Sequence, residues 1–99
     1  MDKSEIKQLL ITAIKKFQTM SGEDIPELND DTTPIGDCPG FDSQRGVEVI
    51  VDLETQLGFE VPGEVNLFVS EDGRKALRIQ QIVDRIYKLI SKLGKKSHG

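Results

Sequence analysis

Asp42 and Ser43 stand together in the stretch PGFDSQRGVE, after a Pro-Gly turn and at the head of a helix-like run. Either side chain can cap a helix by accepting a bond from a first-turn N–H, a contribution of about 1 kcal/mol. With Asp42 suited to that task, the Ser43 hydroxyl is left exposed at the helix start. An anion esterified there would lie near unpaired N–H groups and the positive end of the helix dipole. The position therefore suits an attached phosphodiester as well as a cap.

Little else in the chain suggests chemistry. Ser-His and Cys-His catalysis need a positioned histidine, and the sole one, His98, is next to last. One Cys and one His cannot furnish a zinc site. Cys38 sits beside Asp37, whose negative charge disfavours a thiolate nucleophile. No Walker-type loop is present. The acids between residues 24 and 41 fail the calcium-loop pattern: counting from Asp30 puts Pro34 and Ile35 at positions 5 and 6, and counting from Asp24 puts Pro26 at position 3. No metal site and no enzyme activity are expected.

Charge is strongly segregated. Residues 1–18 carry +2, residues 19–72 carry −13 with Arg45 as their only base, and residues 73–99 carry +7. An acidic centre with few aromatics argues against nucleic acid, and fits either a solvated acidic surface or a surface for basic protein partners. The 99 residues fit one small domain whose core must be built from Ile, Leu and Val. Residues 1–93 are expected to form it, with 94–99 as a flexible tail. A lone cysteine, no membrane-length apolar run and no signal-peptide layout lead to the expectation of a cytoplasmic monomer.

Three segments have helical periodicity. Over residues 3–18 the stripe is Ile6, Leu9, Leu10, Ala13, Ile14 and Phe17, with Asp2 and Glu5 as a start signal. Over 43–57 it is Val47, Ile50, Val51 and Leu57, widened by Val49 and Leu53, and Gly58 marks the stop. Over 75–93 it is Ile79, Ile82, Val83, Ile86, Ile90 and Leu93. A short helix is expected at 64–72, around Leu67, Phe68 and Val69. Residues 19–42 form a long connection, expected to be ordered through Ile25, Leu28, Ile35 and Phe41. The fold class is then all-α: a four-helix bundle of three longer amphipathic helices and one short one, with a long ordered loop between helices 1 and 2.

At this point the residues resemble a known family. DDTTPIGDCPGFDSQRGVEVIVDLETQLGFEVPGE, residues 30–64, is similar to the central region of acyl carrier proteins and their peptidyl carrier relatives, and IQQIVDRI is similar to their last-helix signature. The resemblance implies a 4′-phosphopantetheine arm on Ser43, transferred from coenzyme A by a holo-acyl-carrier-protein synthase or other phosphopantetheinyl transferase with magnesium. The arm's thiol would carry acyl intermediates as thioesters to acyl-transfer and condensing enzymes of fatty-acid, lipid or polyketide-type synthesis, and the helices could shelter the acyl chain. Such partners present basic docking patches. The resemblance extends docking roles to Asp42 and Glu48, and more loosely to Asp52 and Glu54. Val47 and Val51 are expected mainly in the core. Three departures point to a specialised member: Gln44 where the family has Leu, the positive Arg45, and a longer link over 66–78. Gln44 and Arg45 thus join the candidate docking set. They also favour the alternative, a carrier-fold interaction module that is not modified.

Overall fold

The computed structural model describes residues 2–58, 60–61 and 65–98, with α4 side chains described through Lys92. Among these residues there are four helices: α1 (Lys3–Met20), α2 (Pro34–Asp37), α3 (Ser43–Leu57) and α4 (Ile79–His98). The chain is mostly helical. Among the described residues the one extended pairing is an isolated antiparallel bridge between Val69 and Ala76.

α1 begins where its capping box closes. Asp2 accepts from the Glu5 N–H at 2.9 Å, and Glu5 reaches back to the Asp2 N–H. Its inward residues are Ile6, Leu10, Ala13, Ile14 and Gln18, at spacings of three and four. This face packs against both α3 and α4. Three α1 lysines tie it to its surroundings: Lys3 pairs with Asp84 at 3.0 Å, Lys7 with Asp30 at 2.8 Å and Lys16 with Asp52 at 2.9 Å. Exposed pairs of this kind contribute about 0–1 kcal/mol each.

The connection from α1 to α3 is joined to the helices by backbone and side-chain bonds. Fully buried Gln18 donates through Nε2 to the carbonyls of Asp24 and Pro39, at 3.1 and 2.8 Å. The carbonyls of Thr32 and Asp30 accept from the first N–H groups of α4, Ile79 at 2.8 Å and Gln80 at 3.0 Å. A helix start that would otherwise leave donors unpaired is thereby satisfied by the loop. Phe41 is buried, and Leu28 and Ile35 pack partly buried against the core. Ile25 instead points out, 40% exposed. Within the connection, Pro34 opens α2, a single turn broken at Ile35 and at Gly36, whose φ is +117°.

The short helix expected at 64–72 is absent from residues 65–72, and Glu64 lies outside the described residues. Local polar side chains compete with helix there. The Asn66 side chain accepts from Phe68 N–H at 3.0 Å, and its carbonyl accepts from Val69 N–H at 3.3 Å. Ser70 then bonds Asp72, Asp72 accepts from Arg74 N–H, and Gly73 turns the chain at φ +73°. Ser70 N–H to Lys75 O (2.8 Å) and Leu77 N–H to Phe68 O (2.9 Å) complete a small hairpin. It occupies the residues expected to open the last helix, so α4 starts at Ile79 rather than at residue 75.

The core joins Ile6, Leu10 and Ile14 of α1, Val49, Ile50 and Leu53 of α3, and Ile79, Ile82, Val83 and Ile86 of α4. Leu67 and Phe68 enter it from the hairpin segment, and Cys38 and Phe41 from the connection.

Candidate functional site

Cys38-Pro39-Gly40-Phe41 makes the turn into α3. Phe41 N–H donates to Cys38 O at 3.1 Å and Gly40 has φ +71°, the geometry that places Pro and then Gly at the two central positions. The turn drives Phe41 inward, where its ring centroid lies 5.2 Å from that of Phe68. Asp42 follows in extended conformation as the N-cap, its Oδ1 accepting from Arg45 N–H at 2.8 Å. The first intrahelical bond runs from Gly46 N–H to Asp42 O at 3.0 Å. By helix geometry the N–H groups of Ser43 and Gln44 precede any intrahelical acceptor.

Ser43 is the first residue of α3 and is exposed. Asp42 performs the capping, so the Ser43 hydroxyl is not needed for it. Asn66 Nδ2 lies 3.4 Å from the Ser43 carbonyl, bringing the hairpin segment beside this helix start. Gln44 is exposed. Arg45 is half-buried and folds back onto α1, donating through a terminal guanidinium nitrogen to Gln18 Oε1 at 3.0 Å.

The inward arc of α3 is Gly46, Val49, Ile50 and Leu53. Val47 and Val51, expected in the core, are 49% and 57% exposed. The helix is rotated about one residue from the expected phase because Gly46 abuts Phe68: a Cβ at residue 46 would sit 3.0 Å from a ring carbon. Val47 and Val51 therefore follow Ser43 at four-residue spacing as an exposed apolar strip.

The acidic candidates separate by their surroundings. Asp42 and Glu48 are exposed. Asp52 is engaged by Lys16, with its side chain 19% exposed. Glu54 is half-buried and accepts from Val61 N–H at 2.7 Å, holding the chain after Gly58. Burial, reinforced by the charge of Asp37, raises the Cys38 thiol above its ordinary pKa, which keeps it a protonated core residue.

Gln18, Gly46 and Asn66 shape this end of the molecule without having been singled out from the sequence, and Phe68, expected in a short helix, does so from the hairpin segment. Gln18 left a signal: it continues the Ile6–Leu10–Ile14 series by four, putting an amide at a core position. Gly46 and Phe68 meet across 22 residues of chain, and no local pattern links them. Compared with protein-family models, curated proteins and solved structures, the chain matches none of them.

Proposed function

We propose that this chain is an acyl carrier protein, bearing 4′-phosphopantetheine on Ser43 and carrying acyl groups as thioesters between partner enzymes. One observation carries the proposal: Ser43 is exposed at the first position of α3 while Asp42 alone caps that helix. The hydroxyl is accessible to a transferase, and the phosphodiester formed would meet unpaired N–H groups at the positive end of a 15-residue helix. The similarity of residues 30–64 to carrier domains supplies the identity of the group. Three longer helices and a connection bonded to α1 and α4 suit the bundle of a carrier. On this reading the chain catalyses nothing itself. A phosphopantetheinyl transferase loads it, and acyl-transfer and condensing enzymes meet α3 through basic patches in the cytoplasm. Arg45 favours the unmodified-module alternative less than its charge suggests, since its guanidinium is directed to Gln18.

Intact mass spectrometry after incubation with coenzyme A, magnesium and a broad-range phosphopantetheinyl transferase tests the proposal. The expected result is a gain of one phosphopantetheine group in the wild type and none in Ser43→Ala. No gain, or an equal gain in both, overturns it.

A further inference from the structure

An apolar chain tethered near Ser43 would be stabilised by every methylene it buried, provided the interior beneath α3 had room. Among the described residues, Phe68 occupies the space beneath the first turn of α3. Phe68 is fully buried. Its ring lies so near α3 that a single added Cβ at Gly46 would approach it to 3.0 Å, and Phe41 closes the other side at 5.2 Å between ring centroids. The ring is also hard to displace, because bonds pin its backbone from several directions. Phe68 N–H donates to Asn66 Oδ1 and Phe68 O accepts from Leu77 N–H. From α4, Arg85 donates to the carbonyls of Asn66 and Val69, on either side of it. The strip that does extend from Ser43 is Val47 and Val51, on the outer face of α3.

We infer that Phe68 is a specificity-determining residue: it closes the interior to an apolar cargo, so the group carried at Ser43 is a short or polar acyl group held outside the helices. This rests on the carrier proposal. A long alkyl chain would have to expel a fully packed aromatic ring from between α3 and the hairpin segment. A short or polar acyl group has little to gain from burial and is carried at no such cost.

Chemical loading makes the test independent of any transferase. In Ser43→Cys, the introduced thiol attacks a mixed 2-pyridyl disulfide of a pantetheine-like thiol bearing a two-carbon or twelve-carbon acyl group, forming the new disulfide and releasing 2-thiopyridone. Single loading is checked by mass, with Cys38 confirmed unmodified by peptide mapping. With Phe68 present, the melting temperature should be the same for the two cargoes. With Phe68→Ala added, the unloaded protein should melt lower, and the twelve-carbon cargo should raise its melting temperature by about 5 °C or more over the two-carbon cargo. A chain-length-dependent rise with Phe68 in place overturns the inference, as does no dependence in folded Phe68→Ala. If Phe68→Ala does not fold, methyl NMR of the Phe68 protein decides. Unchanged Ile50 and Leu53 signals between cargoes support exclusion, and length-dependent shifts refute it. Failure of a transferase to modify wild-type Ser43 would sink the carrier proposal and leave this measurement standing.

Discussion

Arg45 on α3 donates to Gln18 on α1 across 3.0 Å, and Gln18 in turn donates to the carbonyls of Asp24 and Pro39. One buried amide thus fastens two helices and both ends of the loop that leads to Ser43. An unpaired buried polar group costs about 1–3 kcal/mol, and Gln18 has partners for both ends of its amide.

Gln18→Leu should therefore destabilise the fold by about 1–3 kcal/mol despite adding apolar volume to the core, because it strips the two loop carbonyls of their donor. Arg45→Ala should cost about 1 kcal/mol, leaving Gln18 Oε1 without its donor. Urea unfolding of both single variants and the double variant should show the double losing less than the sum. Strict additivity would mean that the two side chains do not interact in solution.

Gly46→Ala sets two effects against each other. Alanine in a helix interior is favoured over glycine by about 1 kcal/mol. The new methyl would meet the Phe68 ring at 3.0 Å, and overpacking a filled core costs about 1–3 kcal/mol. Phe68 is fully buried and its backbone is bonded on both sides, so it cannot yield cheaply. The expected outcome is a net loss of about 1 kcal/mol by chemical denaturation, largely recovered when Phe68→Leu is combined with it. A stabilised single variant would show that the ring shifts freely.

Cys38 gives a prediction in pH. Its folded-state pKa is raised, chiefly by burial and then by Asp37. Below its ordinary value of about 9.0, the thiol is protonated in both states and its contribution is fully present. As pH rises through the higher folded-state value, the unfolded chain ionises first and the contribution is lost. Stability measured from pH 7.5 upward should fall less steeply in Cys38→Ala than in the wild type, although that variant starts lower for lack of the buried sulfur. Native Cys38 should also react with a thiol reagent at pH 8 at least about tenfold more slowly than in urea. Equal rates would show the thiol to be open to solvent.

Legibility in the sequence followed the range of the forces involved. The α1 cap, Asp2 with Glu5, is a contact over three residues and could be read directly. So could the Pro39-Gly40 turn and the Asp42 cap that present Ser43. The phase of α3 could not. Val47, Val49 and Val51 are equally apolar, and which of them faces inward depends on Gly46 meeting a phenylalanine from the hairpin segment. The hairpin itself was hidden because Leu67-Phe68-Val69 looks helical when only apolar spacing is weighed. The turn is made by Asn66, Ser70, Asp72 and Gly73, whose bonds run to neighbouring backbone and side-chain groups. Likewise, acidic residues along α3 look alike in sequence until Lys16 and the Val61 N–H claim two of them.

On the carrier proposal, those claims separate the acids as candidate docking charges. Glu48 is exposed, five residues after Ser43, and among the described residues its carboxylate has no internal bond to give up on meeting a basic partner. Asp52 would have to leave Lys16 at 2.9 Å, and Glu54 the Val61 N–H at 2.7 Å. Neutralising an exposed interface charge chiefly slows association and weakens its salt dependence. With a phosphopantetheinyl transferase that accepts this chain, Glu48→Gln should lower kcat/KM several-fold through KM at low salt, with the difference shrinking as salt is raised. Asp52→Asn and Glu54→Gln should leave kcat/KM within about twofold of the wild type and instead lower the midpoint of urea unfolding slightly, Asp52→Asn by about 0–1 kcal/mol for the lost pair with Lys16 and Glu54→Gln by weakening the bond from the Val61 N–H. The reverse pattern, kinetic loss from Asp52 and Glu54 and none from Glu48, would place the docking surface on the later turns of α3 instead of beside Ser43.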